Sequence, residues 1–230
     1  MMLLFGQKVT EIDPRETIMR RLLVPAAAAA IAGVLGLAGA AAAEPLRPAE
    51  AAAAPAAAPA AAKELAVDYQ VQETGYWCGP AAARIAMSAR TGQLPSQADL
   101  AAQLGTTENG TDHISQISSA LAANLGASYT FREMPADPPS QAQKDQLWTD
   151  IVADIDAGFA VVANIVAPPG NQPPGYPADR TIYHYFTVIG YDSSNMTVKI
   201  ADSASFSGNQ IYWLTFDQLA TLIPPKGYAY

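Results

Sequence analysis

The chain has 230 residues, half of them hydrophobic and 15% charged, with one cysteine, two histidines and a formal net charge of −8 at pH 7. One cysteine excludes an intramolecular disulfide, and one thiol with two imidazoles falls short of an ordinary zinc ligand set. The acidic balance argues against nucleic acid and anionic lipid as partners.

Residues 1–43 read as an export signal. Arg20-Arg21 precede an apolar run from Leu22 through Val34, Leu35 and Leu37 to Ala43, and small residues close it. That order of basic, apolar and small residues predicts cleavage after Ala43 and a secreted product, with Met19 an alternative start. The run is also about long enough to span a bilayer, so an uncleaved anchor is the competing expectation. Residues 44–62, rich in Ala and Pro, predict a semi-stiff linker with nothing to pack. The folded domain is then expected over residues 63–230, and no membrane contact is expected once the signal is gone. Eight Lys/Arg against sixteen Asp/Glu in that span place the whole net charge in the domain. A monomer is expected.

Leu65 to Gln72 predicts an extended segment leading into Glu73-Thr74-Gly75-Tyr76-Trp77-Cys78-Gly79-Pro80. Gly75 would let the chain turn back sharply. Pro80 suits the first position of a helix, the Ala-rich run 81–90 continues it, and Gly92 supplies a stop. Cys78 then lies at a helix N-terminus, where unpaired N–H groups and the macrodipole favour a thiolate. The competing reading is a small buried hydrophobe, since free cysteines are among the most buried residues.

Further on, residues 95–105 predict a short capped helix closed by Gly105. A second helix runs from about Asp112, with Ile114, Ile117, Leu121 and Leu125 on one face, to Gly126. His113 is expected to be an exposed first-turn residue. Tyr129–Met134 reads as a short strand. Leu147, Trp148, Ile151, Val152 and Ile155 mark a third helix stopped by Gly158, and Phe159–Val166 reads as a central strand covered on both faces. The Pro/Gly-rich loop 168–180 is longer than a connection needs, and such loops often border a site.

His184–Tyr191 and Thr197–Asp202 predict a hairpin around Asp192-Ser193-Ser194-Asn195. With residues 192–194 as the loop, Val188 opposes Val198, Phe186 opposes Ile200 and His184 opposes Asp202. Opposed Cβ atoms lie roughly 5 Å apart, so the Asp202 carboxylate can reach the imidazole. A thiol at a helix start and an imidazole–carboxylate pair match the nucleophile, base and orienter of covalent catalysis. Gln210–Leu214 reads as a further strand whose Tyr212 and Trp213 belong to core and rim. Phe216–Leu219 makes a helical turn, and Pro224-Pro225 end the fold.

Taken together, Gln72 six positions before the cysteine, the block Tyr76-Trp77-Cys78-Gly79-Pro80-Ala81-Ala82, the block His184–Asp192, and Ala201-Asp202 resemble the C39-like cysteine peptidases of the papain-like fold. The similarity spans about residues 65–220. It implies an α+β fold in which a helical part carrying the cysteine packs on an antiparallel sheet carrying His and Asp. It also implies that Cys78 attacks, His184 is base then acid, Asp202 orients it, and the Gln72 amide stabilises the oxyanion. Family members often carry proline after that aspartate, whereas this chain has Ser203. The expected function is a secreted thiol hydrolase acting on a peptide or protein substrate at peptide or related amide bonds, without cofactor or metal. A non-catalytic peptide-binding domain of the same fold, and an acyl transferase or amidase acting on cell-wall peptides, remain as alternatives.

Overall fold

In a computed structural model of the chain, residues 61–230 are described. The expected signal segment 1–43, and the linker up to residue 60, lie outside the described residues. The elements in order are β1 (Ala62–Glu64), α1 (Cys78–Ser88), α2 (Gln97–Leu104), α3 (Ile114–Leu125), β2 (Phe131–Glu133) and α4 (Gln141–Ala157). They continue with β3 (Val161–Ala167), β4 (Ile182–Asp192), β5 (Thr197–Ala201), β6 (Ile211–Thr215), α5 (Phe216–Leu222) and β7 (Gly227–Ala229). The strands form one sheet in the order β2-β7-β3-β4-β5-β6, with β1 pairing the far end of β4. Every pairing among the described residues is antiparallel.

Two apolar clusters cover the sheet. Alternation along the strands sends Val161, Ala163 and Ile165 with Phe186 and Val188 against α4 and α5. Val162, Tyr185 and Ile189 go to the opposite cluster, which holds α1, α2 and α3. Burial on both faces is why β3 reads as an unbroken apolar run. The helix boundaries follow local chemistry. Ser96 and Ser140 cap α2 and α4 in reciprocal boxes with Asp99 and Gln143. Gly105, Gly126 and Gly158 end α2, α3 and α4 in the left-handed conformation that glycine adopts without a Cβ penalty.

Several expectations need correction. Pro224-Pro225 do not end the fold: β7 follows them and threads between β2 and β3 with Tyr228 fully buried. A three-residue strand has too little length for a period to show, so only its pairing partners define it. The first strand starts at Ala62, one residue inside the expected linker. Helix α1 begins at Cys78, which puts Pro80 third in the helix, still within the first turn where N–H groups lack helical partners. It ends at Ser88 with Ala89 as cap, so Gly92 does not stop it. His113 is indeed exposed, but it caps α3 and its Nε2 lies 3.1 Å from Glu133 Oε1.

The hairpin register also differs. Asp192 pairs with Thr197, Tyr191 with Val198 and Gly190 with Lys199, and a bulge then precedes Val188 with Ile200 and Thr187 with Ala201. The turn therefore spans Ser193 to Met196 and the bulge absorbs one residue, neither of which alternation alone can reveal.

Candidate functional site

The site lies where the start of α1 meets the beginning of β4. Helices α2 to α5 each carry a side-chain cap, from Ser96, His113, Ser140 and Thr215, whereas the α1 N-cap residue Trp77 supplies none. Cys78 therefore sits at the open N-terminus of α1, where the backbone amides of Gly79 and Tyr185 favour a negative charge on its sulfur. Two contacts hold the helix start in place. Thr187 of β4 donates its hydroxyl to Ala82 O at 2.9 Å. On the other side, a Cβ on Gly79 would come within 2.3 Å of Thr111 Oγ1, so only glycine lets loop 109–111 pack this closely.

His184 is buried and stands between the thiol and a carboxylate. Its Nε2 is 2.8 Å from Asp202 Oδ1, and its ring also interacts electrostatically with Cys78. Nε2 is occupied by Asp202, so Nδ1 is the nitrogen that faces the sulfur. Asp202 lies just past β5; continuing the observed register puts it opposite Phe186 rather than His184. The displacement from the expected pairing is two residues, and a two-residue slip preserves the face. His184 and Asp202 are then diagonal neighbours, a spacing that an imidazole can bridge.

Asp202 is fully buried and every lone-pair direction is used. Oδ1 also accepts the Ala204 amide at 3.0 Å, and Oδ2 accepts the hydroxyls of Tyr176 at 2.7 Å and Tyr212 at 2.6 Å. Burial alone would raise the Asp202 carboxyl, but the charge and hydrogen bond of His184, with the two phenols, hold it below its ordinary range. Burial opposes charge on His184 as well, yet the Asp202 carboxylate, with Cys78, pushes it up to about 10. Burial would likewise raise the Cys78 thiol. The hydrogen bond and charge of His184 and the two backbone donors outweigh it, and the thiol ends below its ordinary value. Both shifts favour the thiolate–imidazolium form of the pair over the neutral one. A cysteine that were only a small core hydrophobe would have no such partner.

Sequence reasoning missed the two tyrosines. Tyr176 comes from the long 168–180 loop, whose length was the signal that it borders a site. Tyr212, read as core or rim, points inward from β6 to Asp202, while its neighbour Trp213 is 40% exposed. Their own phenols are raised, Tyr176 well above the ordinary value, by burial first and by the Asp202 charge second. They therefore remain protonated donors.

Gln72 is placed beside this group but is not joined to the thiol. Its backbone N–H donates to Ser203 O at 2.9 Å, next to Asp202, and its amide Nε2 donates to Thr74 O at 2.8 Å. A turn forms, Trp77 N to Thr74 O at 3.4 Å, but Gly75 is not left-handed there and a Cβ would meet nothing within 4 Å. The expected need for glycine at 75 is thus not met. The segment is pinned instead by Gln97, which is buried. It donates to Gln70 Oε1 at 2.8 Å and Val71 O at 2.9 Å, and accepts from Glu73 N at 2.9 Å. Gln70, on the same side, is therefore committed to Gln97.

A cavity of about 180 Å³ lies over Cys78 and His184. Asn109 to Asp112 form one wall, and Asn164, Tyr183, Tyr185 and Lys226 line the rest; Gln72 is not part of it. Tyr185 OH donates to Thr111 O at 3.2 Å and accepts from Asn164 Nδ2 at 2.9 Å, which ties wall and floor together. Among the described residues no cluster of His, Cys, Asp and Glu could hold a metal, and no helix is long and apolar enough to cross a membrane.

Comparison with known proteins adds the lineage. The model of the Peptidase_C39 like family matches residues 64–222. Among solved structures, the chain is similar to the peptidase domain of Streptococcus ComA, a bifunctional ABC transporter of a quorum-sensing pathway. The identity is 18% over 70% of this chain and 94% of that one, with a TM-score of 0.45. It is also similar to xylellain, a cysteine protease from Xylella fastidiosa, at 14% identity over 75% and 86%, TM-score 0.46. A double glycine motif protease from an AMS/PCAT transporter, solved in complex with its leader peptide, matches at 11% over 72% and 91%, TM-score 0.48. No curated protein matches the chain.

Proposed function

This chain belongs to the Peptidase_C39 like family, and from that premise we propose that it is an exported cysteine peptidase using Cys78, His184 and Asp202. The observation that carries the reading is the continuous line from the Cys78 sulfur through the His184 ring to Asp202, with the carboxylate fully hydrogen-bonded. The Cys78 thiolate attacks the carbonyl carbon of a peptide bond; a C–S bond forms and the carbonyl electron pair moves to oxygen. The Cys78 backbone N–H and the second N–H of the Gln72 amide, the first being held by Thr74, stabilise that oxyanion. Each such donor is commonly worth about 3 kcal/mol. The C–N bond then breaks, His184 Nδ1–H protonates the leaving amine, and a thioester remains. Water, losing a proton to His184, attacks the thioester and restores the thiolate. Asp202 keeps the ring oriented and stabilises imidazolium throughout.

The test is incubation of the purified protein with a peptide library and a thiol-reactive peptidyl electrophile. Covalent labelling at Cys78 and new peptide termini are expected, and both should vanish in Cys78→Ala. A protein that binds peptides without labelling or cleavage is a binding module, and the reading falls. Product mass separates hydrolysis from transfer to an amine. Export is supported by the basic, apolar and small-residue order of residues 20–43. N-terminal sequencing of secreted material should begin at Glu44, and an intact membrane-retained chain would overturn it.

A further inference from the structure

The described domain carries eight Lys and Arg among sixteen Asp and Glu. Arg132, Lys144, Arg180 and Lys199 pair with carboxylates. Lys63, Arg84 and Arg90 donate to backbone carbonyls. Among the described residues only Lys226 reaches no oxygen; its Nζ stands 6.0 Å from the centre of the Tyr183 ring. In a domain with two acids for every base, an ammonium without an oxygen partner is out of pattern, because nearby carboxylates ordinarily collect such a charge. Lys226 is also the basic side chain that lines the cavity over Cys78.

Its position is fixed at the backbone. The Lys226 N–H donates to Ile223 O at 2.8 Å, and its carbonyl accepts from Met134 N at 2.7 Å. The next residue, Gly227, is held in the β2–β7 ladder opposite Glu133. The side chain is therefore delivered to the cavity from a rigid base, with Tyr183, 68% exposed, beside it. Asp112 lines the same cavity and forms no ion pair with Lys226. A ligand carboxylate is repelled on the Asp112 side and accepted on the Lys226 side, which gives the cavity a direction.

We propose that Lys226 is a specificity-determining cation that binds a carboxylate of the peptide close to the scissile bond, carried by an acidic side chain or by a nearby C-terminus. This deepens the peptidase reading and rests on it. The net charge of −8 repels acidic peptides at long range. The preference is therefore local, set by Lys226.

The experiment uses peptides bearing an epoxide that alkylates Cys78, made in pairs. One pair differs in Glu against Gln beside the epoxide, the other in a free against an amidated C-terminus. Each labelling rate is divided by the iodoacetamide rate of the same preparation, which corrects for thiol reactivity and folded fraction. The unaltered protein should favour the acid over its amide by about 5- to 10-fold, the scale of a partly screened hydrogen bond between charged groups. Lys226→Gln should bring the ratio to about one, and Lys226→Glu should invert it by the same argument. The pair that shows the preference identifies the side chain or the C-terminus as its source. If peptides label efficiently but the ratio is the same in all three proteins, the Lys226 assignment is overturned while the peptidase reading stands. If no peptide labels Cys78 faster than iodoacetamide does, both fall.

Discussion

Removing one phenol from Asp202 probes the centre of the site without touching its reacting atoms. In Tyr212→Phe the ring keeps its packing, while Asp202 Oδ2 loses a 2.6 Å donor and keeps the 2.7 Å donor from Tyr176. A hydrogen bond to a buried charged group contributes about 1.5–3 kcal/mol net, so stability at pH 7 should fall by about that amount. With an m-value of about 2 kcal/mol/M, the urea midpoint drops by roughly 1 M. The pH dependence identifies the cause. Asp202 is depressed in the folded protein, so its contribution is fully present above the unfolded carboxyl value of about 3.9 and is lost as pH falls through the lower folded value. The deficit of Tyr212→Phe should therefore be full at pH 5–7 and shrink as the carboxylate becomes protonated in acid. The double variant with Tyr176→Phe leaves Oδ2 bare and should lose more than the two single losses added. Denaturation curves at several pH values measure all three. A deficit that is constant with pH, or below about 0.5 kcal/mol, would refute the argument and reduce Tyr212 to packing.

Alkylation of Cys78 by iodoacetamide should stay fast as pH falls below about 8.5, the ordinary thiol value, because His184 stabilises the thiolate. In His184→Ala the half-maximal pH should move upward, since burial is left unopposed; an unchanged profile would remove His184 from the pair. Gln72→Ala should lower turnover about 100-fold with alkylation largely intact, whereas full turnover would end the oxyanion assignment. Gly79→Ala should destabilise the fold by about 1–3 kcal/mol through the clash with Thr111, read as a lower urea midpoint. An unchanged midpoint would mean that loop 109–111 yields freely.

Local chemistry in the sequence determined a good part of this protein. The capped start of α2, the closing glycines of α2, α3 and α4 and the Cys78 helix start are set by interactions within a few residues, so they are legible in one dimension, and the apolar run of β3 is legible because burial on both faces leaves no alternation. The pairing of His184 with Asp202 was legible for a subtler reason. Its expected register was off by two residues, but side chains in a strand repeat every two, so the pair still shared a face. What only the tertiary structure decided is everything that depends on distant partners. β7 is three residues long and is a strand because β2 and β3 flank it. Tyr176 and Tyr212 became the donors that keep a buried carboxylate charged because one loop and one strand converge on Asp202. Lys226 stands out only when the oxygen partners of every other base are known, and such partners lie up to 135 positions away in the chain, as for Lys199 and Glu64. Alternation and propensity act over a few residues, whereas charge compensation and burial are settled by whichever segments the fold brings together.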